Sequence, residues 1–115
     1  MIHNITLNSP WFEYVRDGKK IYEGRRKTDK TKEYKIGDIL IINHHTDILQ
    51  EPYKVIIQDI LSFPTFKDAL TNLPIENILP NIKTIDEGVE IYKKYVSLNT
   101  QIQDGIFMIK IKLIK

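Results

Sequence analysis

Lysine, glutamate and arginine fall within the short run GKKIYEGRR as Lys20, Glu23 and Arg25. A lysine taken out of water loses part of its preference for the charged state and can act as a base or nucleophile. Arginine offers a planar fork to a phosphate or a base edge, and a carboxylate accepts from an exocyclic amine such as that of cytosine. The same charges have a plainer use. Glu and Arg rarely enter an interior unpaired, so Glu23 and Arg25 can serve only to satisfy one another. Strand alternation puts Ile21, Glu23 and Arg25 on one face and Tyr22, Gly24 and Arg26 on the other. Lys20 stands at a helix–strand junction, where it can project over a groove or simply stay in water.

The surroundings are basic. The whole chain carries a net charge of only +2, yet residues 16 to 35 hold nine of the 17 bases and four of the 15 acids. Such polarisation builds either an anion-binding face or a solvated, lysine-rich loop. Under the first reading Lys19, Lys20, Arg26, Lys27, Lys30 and Lys32 meet phosphates, which gives affinity without sequence information. Trp11, Tyr14 and Tyr22 border the segment, and aromatic faces beside cations are surfaces on which single-stranded bases stack. Tyr22 is the better stacking candidate, because Trp11 on the inner face of a helix reads as core.

Other chemistries are excluded or unsupported. With no cysteine, disulfides, thiolate metal sites and cysteine nucleophiles are ruled out. His44 and His45 next to Asp47 look like metal ligands, but neighbours in a strand face opposite ways, and exposed loop histidines are expected instead. There is no phosphate loop and no nucleophile elbow. No cofactor and no metal are expected.

The positioning elements follow from pattern. A chain of 115 residues with 42% hydrophobic residues makes one domain, 1–115. The start MIHNITLNSP lacks a secretion signal, and no apolar run nears the roughly 20 residues of a membrane span, so a soluble, cytoplasmic monomer is expected. IHNITL reads as a strand. SPWFEYVRDG reads as a helix capped by Ser9, with Pro10 in its first turn, closed by Gly18 and burying Trp11, Phe12 and Val15. KIYEGRR, KIGDILIIN after a Gly37-Asp38 turn, and YKVIIQDILSF read as three strands. Two helices follow, one with Phe66, Ala69, Leu70 and Leu73 on a face, the other with Thr84 and Glu87 in capping-box register; a turn is expected between Pro74 and Pro80. GIFMIKIKLI closes as an alternating strand with Lys110 and Lys112 on its wet side. Consecutive strands without helical crossovers predict an α+β fold with a mostly antiparallel, curved sheet or small barrel.

Taken together, FEYVRDGKKIYEGRR, KIGDILIIN, FKDALTNLPIENILP, and IYKKY before GIFMIKIKLI resemble the ASCH domain from about Trp11 to Ile114. The pattern carried over is a helix ending in Gly, one or two Lys, a Glu and an Arg two apart, and a Gly-Asp turn, here Gly18, Lys19, Lys20, Glu23, Arg25, Gly37 and Asp38. The resemblance implies a PUA-like barrel of about five or six strands with three short helices, and RNA or a nucleoside or nucleotide as ligand. One branch of the family hydrolyses N4-acetylcytidine with a Lys, a Thr three residues later and a Glu near the last helix. This chain keeps the Lys as Lys20, has Glu23 in place of the Thr, and has Pro80 where the acid belongs. The resemblance therefore implies a nucleic-acid-binding module formed by Lys19, Lys20, Tyr22, Glu23, Arg25, Arg26 and Lys27. A nucleoside amidohydrolase using Lys20 and Glu23 is the alternative.

Overall fold

The computed structural model describes residues 1–115. Its strands are β1 (Ile2–Leu7), β2 (Tyr22–Arg26), β3 (Ile39–His44), β4 (Tyr53–Phe63) and β5 (Ile106–Leu113), joined in one sheet of order β1-β3-β4-β5-β2. β1 runs parallel to β3 and every other pair is antiparallel. The α+β, mostly antiparallel reading holds, with the sheet curled into a half-barrel.

Side-chain alternation assigns the two faces. Inside the curl, Ile5, Leu7, Leu40, Ile42, Val55, Ile57, Ile109 and Ile111 pack with Phe12 and Val15 of α1 (Trp11–Arg16). On the outer face, Ile106 and Met108 of β5 meet α2 (Phe66–Asn72), α3 (Ile75–Ile78) and α4 (Ile85–Lys93) through Phe66, Ala69, Leu70, Ile78 and Tyr92. β5 is thus covered on both sides where it crosses the middle of the molecule. A bulge in β4 between Ile57 and Asp59 shifts its register against β5, and bulges bend strands. No helix is long and apolar enough to cross a membrane.

Most ends of the helices obey their local signals. Gly18 closes α1 at φ +79°, a backbone state that costs glycine least. Thr84 caps α4 by accepting from the Glu87 amide while its hydroxyl donates to the Glu87 carboxylate. Three local expectations are corrected. Pro10 itself precedes the first helical residue, and Ser9 donates its hydroxyl to Glu13 instead of capping the backbone. The stretch between Pro74 and Pro80 contains the one-turn helix α3, where a turn was expected. A further helix, α5 (Leu98–Asp104), was not anticipated. Its apolar residues Leu98 and Ile102 are exposed while Gln101 is buried, so no apolar stripe announces it. Gln101 compensates by accepting from the Phe66 amide at 2.9 Å and donating to the Val96 carbonyl at 3.0 Å.

One acid anchors the start of the sheet. Asp38, in the turn before β3, accepts from His3 Nε2 at 2.8 Å, from the Met1 ammonium at 3.0 Å and from the Lys35 amide at 3.0 Å. These donors, the His3 bond first, hold its carboxyl near 2, against an ordinary 3.8. A depressed acid contributes its stability above the unfolded value and loses it as pH falls toward the folded one. Denaturant midpoints of the wild type should therefore drop between about pH 4 and pH 2 by more than those of Asp38→Asn, which should begin lower at pH 7. Parallel pH curves for the two proteins would show that Asp38 does not carry this term.

Candidate functional site

β1 and β2 are the two ends of the sheet, each paired on one side only. Where a closed barrel would continue its ladder, two side chains reach across. Arg25 Nη2 donates to the Thr6 carbonyl at 3.0 Å, and Lys30 Nζ donates to the Asn4 carbonyl at 3.2 Å. A cavity of about 650 Å³ lies along this seam, walled by β1, β2, the turn through Thr28 and Thr31, and side chains from α1, α2 and α4. That volume lies within the usual range of small-molecule sites.

Lys20, Glu23 and Arg25 converge on its wall. Glu23 is 6% exposed. Its Oε2 accepts from Arg25 Nε at 2.9 Å and lies 2.8 Å from Arg25 Nη2, while its Oε1 faces Lys20 Nζ at 3.7 Å, too far for a hydrogen bond. One carboxylate oxygen is thus committed to Arg25 and the other keeps accepting capacity. Lys20 lies at the helix–strand junction, as expected, but is buried, with its ammonium held on the carbonyls of Tyr22 at 2.6 Å and Ile78 at 2.5 Å. Burial moves its pKa down from 10.5 to about 8, with Glu23 opposing the shift and Arg25 adding to it. At neutral pH the trio carries one net positive charge.

On the outer face of β2, Gly24 sits under two aromatic rings. Phe66 and Tyr92 stack nearly parallel, 3.9 Å between centroids, and a Cβ on Gly24 would lie 2.8 Å from both the Phe66 ring edge and the Tyr92 hydroxyl. Only glycine lets that pair approach the strand so closely. The Tyr92 hydroxyl is buried, lines the cavity, and has no hydrogen-bond partner. Burial, followed by the Glu23 charge, raises its pKa well above the ordinary value, so it stays protonated.

The family model of the ASCH domain matches residues 5–115. The chain belongs to the ASCH domain family. Among solved structures, this ASCH domain is similar to the hypothetical protein PH0355, with 32% identity, a TM-score of 0.88, and coverage of 99% of this chain and 100% of that one. It is also similar to protein PF0455 from Pyrococcus furiosus, with 26% identity, a TM-score of 0.78, and coverage of 100% and 99%. The S128A variant of ZmASCH from Zymomonas mobilis, at 11% identity and a TM-score of 0.67 over 95% of this chain and 66% of that one, shares the fold. No curated protein matches the sequence.

Not every candidate residue of the ASCH domain reaches the cavity. Lys20, Glu23, Arg25 and Arg26 line it, with Arg26 also 3.6 Å from Asp104. Tyr22 packs against the α2–α4 cluster and is not on the wall, whereas Trp11, read as core, is partly buried with a place on it. Lys20 Nζ lies 5.9 Å from the Trp11 ring centroid. Lys19 is exposed beside Tyr14, and Lys27 lies over the Phe107 ring at 5.0 Å; neither lines the cavity. His44 is a correction: it is partly buried at the end of β3, where Nδ1 accepts from the amides of Thr46 and Asp47 and Nε2 contacts Ser9 Oγ at 2.9 Å. His45 is exposed. No group of three or more His, Cys, Asp and Glu side chains is placed to hold a metal. Sequence spacing reads Tyr92 mainly as packing with its hydroxyl at the rim, and the structure buries that hydroxyl on the cavity wall; the isolated Gly24 inside a strand was the signal for so close an approach.

Proposed function

We propose that this ASCH domain, acting as one unit over residues 1–115, binds an unpaired base of RNA, or a free nucleotide, in the seam cavity. One observation carries the reading: a buried glutamate held between a lysine and an arginine on the wall of a nucleotide-sized cavity with cations at its rim. Glu23 accepts from the ligand, Arg25 and Lys20 supply net positive charge, Trp11 offers a stacking face, and Arg26 and Lys30 draw in phosphates. Lys19 and Lys27, outside the cavity, extend the same basic surface along a longer strand.

RNA binding of this kind weakens as salt rises, because neutralised phosphates release counterions. Titrating a fluorescent single-stranded oligoribonucleotide at several salt concentrations should give a linear log–log slope, and Arg26→Ala should reduce that slope by about 0.7. Absence of binding at low salt to single-stranded RNA of mixed sequence would end the proposal.

The depressed Lys20 pKa favours a second reading, hydrolysis of an N4-acylated cytidine with Lys20 as base and Glu23 as acid–base partner. It is the weaker one, since two backbone carbonyls hold the Lys20 amine away from free attack. Incubation with N4-acetylcytidine, with Lys20→Ala as control, separates the two readings; turnover that persists in the control would clear Lys20.

A further inference from the structure

We infer that Tyr95 is a stacking platform at the mouth of the seam cavity, so that the site takes a single strand of RNA of at least two nucleotides in preference to a free nucleotide. The inference rests on the cavity being a nucleotide site and adds which of those two ligands it is built for. Tyr95 lies two residues beyond the end of α4 and is 62% exposed, yet it lines the cavity together with Ile91 and Val96. A residue that is both wall and surface marks the place where the cavity opens to solvent. Glu23, which also lines the cavity, is buried and lies at depth.

Single exposed aromatic residues are ordinary on a protein surface. What sets Tyr95 apart is that its ring has no other occupation. It belongs to neither apolar cluster and stacks on no other ring, whereas Tyr22, Tyr34, Tyr53 and Tyr92 pack in the two clusters and Tyr14 meets the Trp11 ring edge-on at 5.9 Å. An open aromatic face beside a cationic cavity is a surface for a base, and because every base has a π-face the contact does not select sequence. Charge favours a nucleic acid over an apolar partner: Lys93 and Lys94, both exposed, precede Tyr95 in the chain, and Arg26 and Lys30 line the cavity that it borders. A base held against Glu23 is inside, which leaves the ring at the mouth to the next base along the strand. Only a ligand longer than one nucleotide uses both.

The test is a calorimetric titration, at one low salt concentration, of wild type, Tyr95→Ala and Tyr95→Phe with the four ribonucleoside 5′-monophosphates and the four matching homotetranucleotides. Thermal melts of the three proteins should coincide, because an exposed side chain away from both cores carries little stability. Wild type should bind its best tetranucleotide more tightly than the matching monophosphate. Tyr95→Ala should lose about tenfold in affinity for that tetranucleotide, the scale of one base–aromatic stack, with the monophosphate unaffected. Tyr95→Phe, which keeps the face and removes only the hydroxyl, should bind as wild type does. Equal tetranucleotide affinities for wild type and Tyr95→Ala, or an equal loss with the monophosphate, would overturn the inference and leave the cavity's proposed function standing. Failure of wild type to bind any of the eight ligands would overturn both.

Discussion

Replacing Glu23 by alanine should lower the unfolding free energy by about 3–5 kcal/mol, the cost of breaking a buried ion pair from one side. The loss does not come from the pairwise attraction alone. Glu23 lies between two cations, and without it Lys20 and Arg25 face each other across a wall with the Lys20 ammonium still buried. Lys20 adds a pH signature. Its folded pKa of about 8 is below the unfolded 10.5, so the unfolded state binds more protons between those values and wild-type stability should rise with pH across that window. Removing Glu23 removes the charge that supports Lys20 protonation, pushing its folded pKa lower still, so the deficit of Glu23→Ala should narrow as pH rises through about 8. Urea denaturation at pH 6 and pH 9 measures both effects. A deficit under about 1 kcal/mol at pH 6 would mean that the trio behaves as a solvated surface pair.

Gly24→Ala should destabilise by about 1–3 kcal/mol, the usual cost of overpacking. The sign is the informative part, because replacing glycine by alanine inside a strand ordinarily stabilises by restricting the unfolded chain. Here the new methyl would come within 2.8 Å of Phe66 and of the Tyr92 hydroxyl, and both rings are themselves buried members of the outer cluster with Leu70, Leu79 and Met108. Combining Gly24→Ala with Tyr92→Phe relieves one contact and leaves the other, so the double variant should recover only part of the loss. Chemical denaturation of the four proteins forms a closed cycle. An unchanged or raised midpoint for Gly24→Ala would show that the rings yield freely.

Much of the architecture was legible because alternation and end signals agree. The alternation of β1 and β5, the Gly18 terminus and the Thr84 cap are each written in local residue choices, whereas the unbroken apolar run Ile39 to Ile42 marks β3 as buried without saying which of its residues face inward. The assignment of Glu23 and Arg25 to one face of β2, and of Gly24 to the other, came from alternation alone. α5 was hidden because a buried Gln101 replaces the apolar stripe, and its contacts to Phe66 and Val96 depend on the tertiary fold. Tyr92 is only partly legible for a similar reason: spacing places it on the buried side of α4, but whether its hydroxyl finds a partner depends on β2, far away in sequence. Lys20 shows the same limit. Its location at the junction was evident, while its burial under the Ile78 carbonyl depends on α3.

The half-barrel closes between its edge strands β1 and β2 through Arg25, and through Lys30 just after β2, and not with a backbone ladder. Side chains swing aside at far lower cost than a β-ladder unzips, so under the proposed function the seam is a doorway whose latch is also its lure: the cations that close the entrance are those that would attract a negatively charged visitor. On that reading, a guest that competes for the Arg25 guanidinium would release the Thr6 carbonyl as it arrives, joining admission and recognition in one side chain.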